Sequence, residues 1–148
     1  MPRTDVEEHA LGRTWVVEEP MERAFHALVD DGRVWLVDPL EVPELGEVGE
    51  LGEPAAVLQL LDRHNRDCAA VAERLGVPHL KVPDAVLGSP FEAIAVVRKP
   101  GWKETALWWP GREALIVAET LAANPMHTGG DRPVAVHFLL RAWPPGAL

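Results

Sequence analysis

The chain has 148 residues, 47% of them hydrophobic and 25% charged, with a mean hydropathy of -0.03. That length suits a single domain, since cores divide only beyond about 250 residues, and the balance is that of a globular protein rather than a disordered one. Fourteen Lys and Arg against 23 Asp and Glu leave a formal charge of -9, a field that repels phosphate backbones, so nucleic acid is not expected as a partner. 

The single cysteine, Cys68, excludes an internal disulfide and a thiolate zinc cluster and predicts a reducing, cytoplasmic setting. Met1 to Glu8 is charged, and no run approaches the roughly 18 apolar residues of a membrane span, so neither export nor insertion is expected. Fourteen prolines and 12 glycines favour short strands and tight turns over a helical bundle.

Taken in chain order, Arg13 to Glu18 is β-branched and aromatic and predicts a strand. Ala24 to Val29 and Arg33 to Val37 predict two more around the Asp30-Asp31-Gly32 turn, completing a meander that ends at Asp38-Pro39. Leu40 to Glu53 carries Glu at 41, 44, 47, 50 and 53 among glycines, and reads as a solvated loop with one helical turn. Ala55 to Leu61 is a short apolar run expected as a strand buried on both faces. Ala69, Val71, Ala72 and Leu75 then fall at helical spacing, with Gly76 and Pro78 placed to end the helix over Asp67 to Leu75. His79 to Val82 predicts a strand, which completes a strand–turn–helix–strand unit. Phe91 to Val97 predicts another strand, and Glu104 to Trp109 with Ala114 to Ala118 a hairpin across Pro110 to Glu113. A last apolar piece, Val134 to Leu140, follows an irregular stretch.

In an α/β sheet, ligands bind in the polar turn between a buried strand and the next helix, which here is Asp62-Arg63-His64-Asn65-Arg66-Asp67-Cys68. In that context the chain resembles the metallo-β-lactamase superfamily, whose H-x-H-x-D-H signature lies after a buried strand and before a helix. Asp67 matches the signature aspartate. Arg63, Asn65 and Cys68 stand at its histidines, and His64 occupies a position it leaves free. Ala27 to Pro39 is similar to the family's strand–turn–strand ending in Asp-Pro. Trp102, in Lys99-Pro-Gly-Trp-Lys, stands where a Thr-Pro-Gly-His segment has its histidine, and Glu119 where a bridging aspartate would be. The family's closing segment has no counterpart after Leu140. The resemblance implies an α/β (α+β) fold, a metallo-β-lactamase-like αββα sandwich incomplete at its carboxyl end.

Hydrolysis in that superfamily, as the resemblance implies, uses one or two metal ions. Arg63 and Arg66 bring fixed positive charge, and an indole offers no lone pair, so no metal or other cofactor is expected. The same groups suggest a small-anion pocket of Arg63, His64, Asn65, Arg66, Trp102 and Glu119. The plainer expectation is that the arginines pair with Asp62, Asp67 and Glu119 and hold the loop closed. Candidates for chemistry are His64 for acid–base work, Cys68 as a nucleophile and Asp67, which the helix start also explains as an N-cap. His127 and His137 read as structural, and the tryptophans at 102, 108 and 109 as core.

The leading expectation is therefore a non-catalytic binding or structural module. The alternative is an ester or thioester hydrolase holding zinc, iron or manganese at His64, Asp67, Cys68 and Glu119. A sheet lacking its final cover predicts a homodimer.

Overall fold

The computed structural model describes residues 3–18, 21–122 and 135–136. Contacts divide the chain into two compact units, one of residues 1–59 and 64–81, the other of residues 60–63 and 82–148.

The first unit is a six-stranded sheet whose strand order follows the chain: β1 (Thr4–His9), β2 (Gly12–Val17), β3 (Arg23–Asp30), β4 (Arg33–Val37), β5 (Glu53–Gln59) and β6 (His79–Lys81). β1 to β4 form an antiparallel meander, whereas β4–β5 and β5–β6 are parallel. Parallel neighbours need a crossover. Between β4 and β5 it is residues 38–52, with the 3-10 segment Pro43–Glu50, and between β5 and β6 it is the helix α1 (Cys68–Leu75). 

Alternation along the strands sends Trp15, Phe25, Ala27, Val34, Leu36 and Val57 into one core. There they meet Leu45 and Val48 of the 3-10 segment and Val71 and Ala72 of α1. Trp15 stacks on Phe25 with centroids 4.9 Å apart; each fully buried large side chain contributes about 1.5 to 3 kcal/mol by leaving water. Only glycine fits at position 12, because a Cβ there would lie 2.0 Å from the carbonyl oxygen of Ala27. α1 ends at Gly76, left-handed at φ 67, its N–H returning to the carbonyls of Ala72 and Glu73.

Two segments differ from expectation. β1 has the charged composition Thr-Asp-Val-Glu-Glu-His, yet it pairs with β2 along its length; as an edge strand it tolerates the acids, which discourage further strand addition. The glutamate-rich stretch forms a 3-10 helix rather than a loop with one turn. In that helix residues three apart eclipse, which is how Leu45 and Val48 dock together while Glu47 and Glu50 stay outside.

The second unit holds the antiparallel sheet β7 (Glu92–Lys99), β8 (Trp102–Trp109) and β9 (Ala114–Ile116), with the expected hairpin turning through Pro110–Arg112. Leu60 to Asp62 runs beside the first half of β8. Thr105 donates its N–H to the Leu60 carbonyl at 2.8 Å, and Asp62 donates to the Lys103 carbonyl at 3.0 Å. β10 (Leu121–Ala122) pairs with β11 (Ala135–Val136). Trp102 and Trp109 are buried as expected, and Trp108 is half-buried. Of the piece Val134 to Leu140 only β11 is described; His127 and His137 lie outside the described residues.

The α/β, αββα sandwich is not what forms. The described chain is mostly β, with α1 its one α-helix of eight residues. The strand–turn–helix–strand unit over 55–82 is real, but among the described residues it occurs once. Beyond it the described residues build antiparallel strands from Trp-, Val- and Ala-rich runs broken by Pro and Gly, which do not supply the helical layers of a sandwich. Among the described residues no helix is long and apolar enough to cross a membrane.

Candidate functional site

The segment Asp62 to Cys68 is shared between the units. His64 to Cys68 belong to the first and Arg63 to the second, where Trp102 and Glu119 also lie. The candidate residues therefore form two groups.

In the first unit the group lies at the carboxyl ends of the parallel strands β4 and β5. Asp38, 4% exposed, accepts a hydrogen bond from His64 Nδ1 at 2.9 Å, which fixes the ring proton on that nitrogen. Arg66 Nη1 donates to the backbone carbonyls of Asp38 and Ala24, both at 2.8 Å. Asp38 and Arg66 are both left-handed, at φ 49 and φ 41, a conformation that costs about 1 to 3 kcal/mol for a non-glycine residue and persists only where surrounding bonds impose it. 

Asn65 Oδ1 accepts from Gln59 Nε2 at 3.2 Å and from Lys81 Nζ at 3.1 Å. Asp67 stands at the N-cap position of α1, but its carboxylate does not cap the helix; it accepts the N–H of Glu41 at 2.7 Å. Cys68 is buried, and its thiol donates to the His64 carbonyl at 3.4 Å. Burial first, and the Asp38 charge second, push the thiol up to about 12, so it is a poor source of thiolate.

Asp38 was legible only as the end of a strand, and His26 gave no signal at all. His26 sits on β3 within a directional chain of hydrogen bonds. The Leu11 N–H donates to His9 Nδ1 at 3.2 Å, so the neutral His9 carries its proton on Nε2 and donates it to Thr14 Oγ1 at 2.8 Å. The Thr14 hydroxyl then donates to His26 Nδ1 at 2.8 Å. Burial above all, then the neighbouring His9, lowers His26 from 6.5 to about 4, and Asp38 only partly opposes them.

In the second unit Arg63 lies over the Trp102 ring, 4.3 Å from its centroid, and donates to Glu119 Oε2 at 3.0 Å. This pairing with Glu119 is the plainer of the two expectations for Arg63. Arg66 adds bonds that this expectation does not include, to two main-chain carbonyls. Behind Glu119 stands Glu104, fully buried on β8. Its Oε1 accepts the N–H groups of Glu119 and Thr120, each at 3.0 Å. Arg98 spans the neighbouring strand, donating to the Val97 carbonyl at 2.9 Å and to Thr105 Oγ1 at 2.9 Å. Glu104 was hidden in the sequence as one acid inside an apolar run.

A metal does not fit these donors. The carboxylate of Asp67 accepts a backbone N–H, and burial pushes the Cys68 thiol up to about 12, away from the thiolate a metal needs. Zinc sites need deprotonated ligands converging within about 2.0 to 2.3 Å, and among the described residues no three His, Cys, Asp or Glu side chains converge in that way. A shallow cleft of the first unit, about 390 Å³, lies on other residues, between the Glu41–Arg74 ion pair and Val42, Pro43 and Gly46. No family model matches the chain, and no curated protein matches it.

Proposed function

We propose that the chain is a non-catalytic binding or structural module of a reducing, cytoplasmic compartment, in which His64 to Cys68 fasten strand ends rather than carry out a reaction. The observation that carries this reading is the direction of the Arg66 guanidinium. It donates to two main-chain carbonyls, on Ala24 and Asp38, and so ties the loop before α1 to the start of β3 and the end of β4. Both bonds run from one guanidinium nitrogen to the main chain, which is how a fastener is placed. Asn65, Asp67 and Cys68 are committed in the same way, each to a partner within the same unit. The likeness to a metallo-β-lactamase signature is, on this reading, confined to one strand–loop–helix segment.

The test is replacement of Arg66 by Ala, read by chemical denaturation, together with elemental analysis of protein purified without chelator. The carbonyls of Ala24, at the surface, and of Asp38, which is buried, lose a charged donor, so the variant is expected to lose about 1 to 3 kcal/mol of stability, with no metal in stoichiometric amount in either protein. Zinc, iron or manganese bound one to one, and lost on Asp67→Asn or Glu119→Gln, would overturn the reading in favour of a metal-dependent hydrolase. Thermal stabilisation by phosphate that vanishes in Arg63→Ala would replace it with a small-anion site, since Arg63 is the more exposed arginine of the segment, at 46% of its side chain.

A further inference from the structure

The outer strand of the second unit is built differently from that of the first. Among the described residues β7 is the edge of its sheet, next to β8 alone. Edge strands ordinarily carry charge, proline, a bulge or a short span to discourage pairing with another chain, as the acids of β1 do. β7 instead runs for eight residues, and Ala93 to Val97 hold neither a charge nor a proline. Ile94 is 44% exposed and Ala95 is exposed. Its charges stand at the two ends: Glu92 at the start, Arg98 and Lys99 at the finish. Arg98 is committed to Val97, Glu104 and Thr105. Glu92 and Lys99 have no ion-pair partner among the described residues.

The register with β8 adds the decisive point. Ala95 pairs with Thr105 and Val97 with Glu104, so the ladder skips Val96. Side chains alternate faces along a strand, and seven positions would normally put residues 92 and 99 on opposite faces. The skipped residue reverses the parity, so Glu92, Ile94, Val97 and Lys99 all share one face, that of Trp108. Trp108 pairs in turn with Leu115 of β9, itself 49% exposed. An apolar stripe of Ile94, Trp108 and Leu115 thus crosses the three strands, beside an edge with opposite charges at its ends.

We propose that β7 is a docking edge for a second copy of this chain, the two strands pairing antiparallel about a two-fold axis between Ala95 and Val96. Directly opposed residues of an antiparallel pair share a face. With the axis there, Glu92 of each copy meets Lys99 of the other, and Ile94 stands opposite Val97, which its own unit already buries against Leu61 and Trp102, all on the face where they already lie. An ordinary edge strand without the skipped residue could not bring these two charges together by a two-fold operation. The pairing continues each three-stranded sheet into one of six and joins the two apolar stripes. This inference does not rest on the reading of the Asp62–Cys68 segment.

Size-exclusion chromatography with light scattering across a dilution series tests it. A dimer of twice 16.2 kDa is expected. Glu92→Lys and Lys99→Glu should each raise the dissociation constant about tenfold, because each turns two cross-strand attractions into repulsions. The double exchange Glu92→Lys with Lys99→Glu should restore the original affinity. Both positions are on the surface of an edge strand, so the fold is not at risk. A monomer at every concentration, a dimer indifferent to the single reversals, or reversals whose losses add in the double variant would each overturn the proposal.

Discussion

Acidification places His26 under a load that can be worked out in advance. The folded chain holds this imidazole neutral at about 4 against an ordinary 6.5, because it is largely buried and faces His9 across Thr14, with Arg66 also nearby and Asp38 the one opposing charge. The unfolded chain binds the proton more readily. Stability from this group is therefore fully present above the unfolded value and is lost as pH falls toward the folded one. At about 1.4 kcal/mol per pH unit, the whole difference amounts to about 3 kcal/mol, of which about 2 kcal/mol falls between about pH 7 and about pH 5. For a chain of this size that corresponds to a Tm lower by about 4 to 8 °C. 

The assay compares wild type with His26→Asn, whose amide oxygen takes the place of Nδ1 as acceptor for the Thr14 hydroxyl but does not titrate. His79, also lowered by burial and by Lys81, adds a loss of the same sign to both proteins and cancels in the difference. The expected outcome is a Tm that falls more steeply with acid in wild type than in His26→Asn. Parallel pH profiles of the two proteins would refute the assignment.

Two further outcomes follow from buried groups. Glu104→Ala should cost about 2 to 4 kcal/mol in chemical denaturation, since it leaves the Glu119 and Thr120 N–H groups without their charged acceptor, whereas Glu104→Gln, which keeps one oxygen, should cost less. Cys68 should react with a water-soluble disulfide reagent at mildly alkaline pH only as fast as the protein opens, because the thiol is fully buried and held at about 12; a rate unaffected by stabilising conditions would contradict this.

The strands over Arg13 to Val37 and the unit over Ala55 to Val82 were legible because alternation and turn residues agree there. α1 ends where Gly76 and Pro78 said it would, and Ala55 to Leu61 is buried on both faces near its end. β1 was illegible because an edge strand can be stabilised by its neighbour's backbone while its own side chains face water. The sandwich architecture is absent from the described residues for a different reason: one segment has the local grammar of an α/β unit, and the described remainder, broken by proline and glycine, builds no helical layers around it. 

Among the site residues, Arg63 with Glu119 followed from opposite charge. The roles of Asp38, His26 and Glu104 did not follow, because each depends on a partner 12 to 26 positions away in the chain that no local pattern specifies. Asp67 shows the same limit from the other side. Its place before a helix predicts a cap, and only the folded loop reveals that Glu41 takes the carboxylate instead.

The threading of Leu60 to Arg63 into the second unit, between stretches that belong to the first, makes the two units inseparable as cassettes. No single cut in the chain releases either one whole. Excising residues 82–148 would strip β8 of the main-chain partners that Leu60 and Asp62 provide to Thr105 and Lys103, and would leave a ladder in the middle of that sheet half-written. Evolutionary shuffling or laboratory recombination of this protein would therefore have to move both units together.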